Sequence, residues 1–274
     1  MNIPFVKMHG NGNDFVIIDN SNINLTFSNK KILQLGNRNF GIGFDQLILL
    51  ESSSKYDIFM KIYNCDGVEV EMCGNAARCV ASLLFTSNKK NKVKIETISS
   101  VLSAQLFKNG QISVDIELPS QDKKYFSLSK EIDIGNIDFS NLHPVLKGGI
   151  LVNMGNPHIV FIVPSLNAFN LGLFGKNIET NSLFKNKINV EVVEIISDDN
   201  IKIHFWERGV GLTLACGSGT LAAVYACYKK KKCSSRVKVA LSKEEVTVSI
   251  NQNILSLIGK AEVSFLGEFF YEQK

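Results

Sequence analysis

The sequence predicts an α+β fold made of two pseudo-symmetric halves, each a set of strands around one buried helix. Three observations carry this reading. Short β-forming runs dominate the 274 residues. Only two segments, 74–85 and 218–228, are rich in Ala, Leu and Val on nearly all sides, as expected of helices enclosed by strands. Finally, the chain matches itself without a gap at a displacement of 143 residues, which pairs Asn13 with Asn156, Gln46 with Asn189, Asn64 with Glu207 and Cys73 with Cys216.

In chain order, strands are predicted at 15–18, 46–50, 58–63, 93–96, 112–118, 150–152 and 158–163. The second half continues with 189–195, 201–206, 236–241, 246–250 and 261–265, mostly separated by turn residues. Strand 58–63 overlays strand 201–206, and each copy then enters a glycine-containing turn ahead of a Cys-Gly pair. Duplication of an αβ unit explains the pattern. Copies related by a pseudo-two-fold axis bring equivalent groups to face each other across a cleft, a common place for small ligands.

Composition narrows the partners. With 45% hydrophobic and 20% charged residues the chain can bury a core without staples. The net charge of +4 is scattered over the chain and forms no basic stripe, so nucleic acid is not expected. The one run of cations, Lys229 to Lys232, ends an apolar helix and suits the negative end of its dipole. No stretch approaches the roughly 18 to 20 apolar residues that span a bilayer, and residues 1–15 carry no secretory signal. A cytoplasmic protein is expected.

Six cysteines, Cys65, Cys73, Cys79, Cys216, Cys227 and Cys233, are then expected to be free thiols. None has structural zinc spacing, and no metal is expected. Cys79 and Cys227 read as helix packing residues, Cys65 and Cys233 as incidental. Cys73 and Cys216 differ, because each precedes Gly and Asn or Ser at the start of an apolar helix. One Cys-Gly alone is an ordinary buried pair; two at matched positions call for another explanation. Unpaired N–H groups and the dipole at a helix start favour a thiolate and also offer donors to a carboxylate. Inverting a stereocentre needs a base on one face and an acid on the other, which two symmetry-related thiols supply. The carbanion requires preorganised donors when no cofactor helps, and the N–H groups of Gly74, Asn75, Gly217 and Ser218 are suited to that task.

Six motifs carry a resemblance: Met8-His9-Gly10-Asn11-Gly12-Asn13-Asp14-Phe15, Gly41-Ile42-Gly43-Phe44-Asp45-Gln46, Asn64-Cys65-Asp66-Gly67, Cys73-Gly74-Asn75-Ala76-Ala77-Arg78-Cys79, Met154-Gly155-Asn156-Pro157-His158, and Glu207-Arg208-Gly209 with Ala215-Cys216-Gly217-Ser218-Gly219. Over essentially its whole length the sequence resembles the diaminopimelate epimerases. The resemblance implies two domains, at 1–117 joined by the tail 264–274 and at 118–263, each a curved or barrel-like sheet around a central helix. It implies cofactor-free interconversion of LL- and meso-2,6-diaminopimelate, on the route to lysine and peptidoglycan. Carried over, Cys73 and Cys216 are base and acid, and Asn64 and Glu207 hold the reacting amino group. Gly74, Asn75, Gly217 and Ser218 bind its carboxylate, Asn13, Asn156, Asn189 and Arg208 hold the far end, and Gln46 lines the cleft. His158 and Glu207 adjust the thiol pKa values. A homodimer is implied, although Phe265 stands where the family has a Tyr that helps join subunits. Asn11 replaces a usual apolar residue, Leu212 a common Glu, and Lys185 and Lys187 a usual Pro and Arg.

Two alternatives stay open: a proline or hydroxyproline racemase or epimerase of the same fold, and a non-catalytic amino-acid-binding relative. A nucleotide site is disfavoured, because Gly10-x-Gly12 and Gly41-x-Gly43 lack the third glycine and no phosphate-loop Lys follows.

Overall fold

The computed structural model describes residues 1–120, 122–241 and 245–271; residues 121, 242–244 and 272–274 of the expected domains and tail lie outside them. The chain forms two compact units, Met1–Ile116 with Ile258–Lys274, and Glu117–Leu257.

The first unit begins with a hairpin of β1 (Asn2–Gly10) and β2 (Asn13–Asp19). Its two-residue loop, Asn11 at φ 62° and Gly12 at φ 83°, needs positive φ twice, a demand Asn-Gly meets at low cost. After α1 (Asn29–Gly36), β3 (Gln46–Glu51) lies parallel to β2, and β4 (Ile58–Asn64) returns antiparallel to β3 with the short β5 (Glu69–Val70) on it. Helix α2 (Gly74–Asn88) leads to β6 (Lys92–Glu96), parallel to β4, and then to antiparallel β7 (Val101–Leu106) and β8 (Ile112–Glu117).

Side chains alternate across a strand, so each sheet face has its own core. Phe15, Ile17, Ile48 and Leu50 pack with Ala76, Ala77, Val80 and Ala81 of α2. Their neighbours Val16, Ile18, Leu47 and Leu49 pack with Ile32 and Leu35 of α1. Burial on both faces is why these two strands read as unbroken apolar runs.

The second unit follows the same plan. Its elements are β9 (Ile150–Asn153), β10 (Pro157–Val163), α3 (Leu171–Glu179), β11 (Asn189–Ser197), β12 (Asn200–Glu207), β13 (Gly211–Thr213), α4 (Gly217–Lys229), β14 (Arg236–Ala240), β15 (Glu245–Asn251) and β16 (Ile254–Gly259). Register is repeated as well as order. Phe15 pairs with Gln46 and Leu47 with Tyr63, while His158 pairs with Asn189 and Val190 with Trp206, each partner 143 residues later. Beyond the helices the match slips by one residue: Phe59 pairs with Glu96 but Lys202 with Ala240. From the end of the chain β17 (Glu262–Phe270) runs antiparallel to β1 in the first unit.

The two helices and most strands fall where the sequence puts them. β1, β7 and β16 were not anticipated, nor were α1, α3, β5 and β13. β1 includes Pro4, Lys7 and His9, with Lys7 buried, so its composition hides the strand. The strand expected at 261–265 runs on to Phe270 through Gly267, which lies against the Phe5 ring and admits no side chain there. Among the described residues no helix is long and apolar enough to cross a membrane.

Gly175 on α3 allows an equally close approach: a Cβ there would lie 2.3 Å from Cδ2 of Trp206. Gly175→Ala is expected to cost about 1–3 kcal/mol of stability, read as a lowered midpoint in thermal denaturation.

Candidate active site

Both cysteines of interest cap a helix. Cys73 has extended backbone (φ −146°, ψ 112°) and its sulfur accepts the Ala76 N–H at 3.5 Å; Cys216 (φ −133°, ψ 119°) accepts the Gly219 N–H at 3.4 Å. Their carbonyls accept the N–H of Ala77 at 3.0 Å and of Thr220 at 2.8 Å. First-turn geometry thus leaves the N–H groups of Gly74 and Asn75, and of Gly217 and Ser218, without intrahelical acceptors. Each helix start combines a sulfur with two donors.

In the first unit the Cys73 thiol lies 3.9 Å from Asn13 Oδ1, which also receives Asn75 Nδ2 at 3.5 Å. Gln46 donates through Nε2 to Asn64 Oδ1 at 3.0 Å, and its own Oε1 is buried with no partner among the described residues. A charged cluster supports this edge. Asp14 lies 2.6 Å from Lys7 Nζ, and Arg38 bonds both oxygens of Asp14, at 3.0 and 2.7 Å, and Asp45 at 2.8 Å. Burial acts to raise the Asp14 pKa, but the bonds from Arg38 and Lys7 outweigh it and bring it down to about 2.

In the second unit His158 and Glu191 form a buried pair, 0% and 1% exposed at their side chains, with Nδ1 2.8 Å from Oε1. The other ring nitrogen, Nε2, lies 2.8 Å from Asn156 Oδ1. Asn189 spends much of its amide on the backbone, donating to the Pro157 carbonyl at 2.9 Å and accepting the Arg208 N–H at 2.9 Å. It thereby joins the entry to β10 with the exit of β12. The Arg208 side chain is exposed and reaches the Asn186 carbonyl at 3.3 Å. Glu207 closes β12. Ser218 Oγ is 3.5 Å from the Cys216 sulfur. Burial, followed by the nearby charges of Glu207 and Glu191, pushes the Cys216 thiol well above its ordinary range, against the hydrogen bonds of Ser218 and Gly219.

None of the six cysteines is in a disulfide. Cys79 is fully buried on α2, and burial pushes its thiol up to about 12.

Within the first unit, therefore, Cys73, Asn75 and Asn13 come together, as do Gln46 and Asn64; within the second, Cys216 joins Ser218, and Asn189 joins Arg208. Sequence reasoning missed Asp45, Glu191, Arg78 and Asn11. Arg78 is fully buried on α2 and donates to Asn75 Oδ1 at 2.9 Å, to Asn11 Oδ1 and to the Lys260 carbonyl. A signal existed for Glu191, a carboxylate at an inward position of an apolar strand.

The family model for diaminopimelate epimerase matches residues 5–120 and 150–264. The diaminopimelate epimerase of Carboxydothermus hydrogenoformans is 39% identical over 98% of this chain and 100% of its own length. That of Pelagibacter ubique is 35% identical over 92% of this chain and 93% of its own. Among solved structures, a predicted epimerase from Pseudomonas aeruginosa superposes with TM-score 0.70 at 12% identity, covering 98% of this chain and 100% of its own. A hydroxyproline epimerase from Agrobacterium vitis gives 0.67 at 11%, covering 97% and 92%. At such identities these two speak for the fold: two α+β domains, mostly curved sheet. The sequence relatives go further, and place this chain in the diaminopimelate epimerase family of isomerases.

Proposed function

We propose that the chain epimerises LL-2,6-diaminopimelate to the meso isomer, with Cys73 and Cys216 as the acid/base pair. The observation that carries this is the repeated helix start, a capping sulfur beside two N–H groups that have no intrahelical acceptor. One sulfur, as thiolate, takes the α-proton; the other, as thiol, returns a proton to the opposite face. The first ends as thiol and the second as thiolate, so the reverse reaction needs the same groups with roles exchanged. The N–H pairs of Gly74 and Asn75 and of Gly217 and Ser218 hold the α-carboxylate and stabilise the charge that spreads onto it. Asn64 and Glu207 hold the reacting amino group, Asn13, Asn156, Asn189 and Arg208 the far end, and Gln46 lines the site. His158 and Glu207 set the thiol pKa values. Such chemistry suits the reducing cytoplasm and supplies lysine and peptidoglycan synthesis.

Cys73→Ala and Cys216→Ala should each lower turnover of LL-diaminopimelate by at least about a hundredfold, followed as formation of the meso isomer by chiral chromatography. Turnover of proline without turnover of LL-diaminopimelate would overturn the assignment, and absence of any exchange of the α-proton with solvent by the wild-type chain would make it a binder. Because thiolate is the reactive form and the Cys216 pKa lies well above 9, Cys216 of the free enzyme should resist iodoacetamide at pH 7 to 8 and label only as pH rises beyond 9, as read by peptide mass spectrometry.

We also propose a homodimer through β17, whose Val263, Phe265, Leu266 and Phe270 are all exposed. Leu266→Glu with Phe265→Glu should convert a dimer into a monomer in light scattering; a mass unchanged from wild type would remove β17 from the interface.

A further inference from the structure

Asn13 and Asn156 occupy equivalent places, each following a glycine of positive φ (Gly12 at 83°, Gly155 at 94°) at the entrance to β2 or β10. Their amides are held in opposite senses. Asn13 donates through Nδ2 to Asp45 Oδ2 at 2.9 Å, an oxygen that also receives the Asp14 N–H at 3.1 Å, while Arg38 holds Asp45 Oδ1 at 2.8 Å. A flipped amide would set two acceptors against each other, so Oδ1 of Asn13 stays turned towards Cys73 and Asn75.

Asn156 is anchored by its oxygen. Its Oδ1 lies 2.8 Å from His158 Nε2, and in that orientation the ring nitrogen donates to it; the other ring nitrogen, Nδ1, lies 2.8 Å from Glu191 Oε1. Both side chains are buried, so water does not compete. The Asn156 NH2 group is thereby turned away from its anchor.

The displacement of 143 residues shows that each clamp is private to its unit. Asp14, Arg38 and Asp45 correspond to Pro157, Asn181 and Ile188, none of which can form the first clamp; His158 and Glu191 correspond to Phe15 and Ile48, which cannot form the second. Outside these clamps the strands keep one register. The divergence is therefore local to the groups that orient the two asparagines.

We infer that Asp45 and the His158–Glu191 pair are positioning residues that make Asn13 an acceptor for an ammonium group and Asn156 a donor to a carboxylate of a zwitterionic amino-acid ligand. An ammonium has only donors and a carboxylate only acceptors, so two identical side chains at equivalent positions read opposite charges. The inference rests on the amino-acid epimerase reading above.

The test is a kinetic cycle on LL-diaminopimelate with wild type, Asp45→Asn, Asn13→Asp and the double variant, each checked for fold by thermal denaturation. In Asp45→Asn an amide that keeps its oxygen on Arg38, leaving the Asp14 N–H without its acceptor, offers NH2 to Asn13, which flips. KM should rise about tenfold or more, the size of one hydrogen bond to a charged group, with kcat changed less. In the double variant the amide at position 45 donates to the carboxylate at position 13, which again offers oxygen to the ligand, and KM should fall back towards wild type. For the second clamp, nitrogen-15 spectra of labelled histidine should find a proton on Nε2 of His158. Folded single variants with wild-type KM, a double variant no better than the worse single, or an unprotonated Nε2 would overturn the inference. Inactivity of the wild type on this substrate would instead overturn the epimerase reading.

Discussion

The site depends on one constraint, that a sulfur caps a helix whose sides are enclosed by strands. A cap must place its acceptor against the third N–H of the helix, and this fixes the sulfur relative to the two N–H groups that remain unpaired. Because Gly74 to Ala81 on α2, and Gly217 with Gly219 to Cys227 on α4, are buried, neither helix can slide or rotate without breaking the core. Small residues make the enclosure possible. At Gly219 a Cβ would lie 2.5 Å from Glu191 Oε1 and 3.1 Å from the Phe205 ring, so the helix start rests directly on its neighbours. Sulfur position is thereby a property of the fold rather than of a rotamer alone.

Duplication supplies two such sulfurs, but identical copies would give two thiols of equal tendency to ionise. At Cys216 the neighbouring charges of Glu207 and Glu191 add to burial in raising the thiol pKa. A carboxylate as deeply buried as Glu191 would cost several kcal/mol unless compensated, and His158 meets one of its two oxygens at 2.8 Å. What was Phe against Ile in one unit is a hydrogen-bonded pair in the other, a change of electrostatics without change of register.

How much of this was legible follows from what sequence displays. The duplication, the two buried helices and the cysteines at their starts could be read directly, because spacing and apolar periodicity are local properties. Strands β1 and β7 were not legible: β1 carries Pro4, Lys7, His9 and Gly10, and its strand character comes from pairing with β2 and with β17, more than 250 residues away. Asp45, Glu191 and Arg78 were missed for a related reason. Nothing in their neighbourhoods reveals that Asp45 meets Asn13 or that Glu191 meets His158; the parallel pairing of β2 with β3 and of β10 with β11 does that. Asn189 shows the converse, since its amide also performs backbone work that a binding assignment does not suggest.

Asn11 shows how such tertiary demands select a residue. An apolar side chain there would sit in left-handed backbone, which costs an ordinary L-residue roughly 1–2 kcal/mol and Asn less. It would also withdraw an acceptor from the fully buried Arg78, where a bond to a charged group contributes about 1.5–3 kcal/mol. Against these gains, Asn11 Nδ2 is buried with no partner among the described residues, a penalty of about 1–3 kcal/mol. The bond and the orphaned group roughly cancel, so the turn preference decides, and Asn is the residue that serves both the loop and the guanidinium. Arg78 held in this way keeps hold of Asn75 Oδ1, and the Asn75 NH2 group is left to face Asn13 beside the Cys73 sulfur.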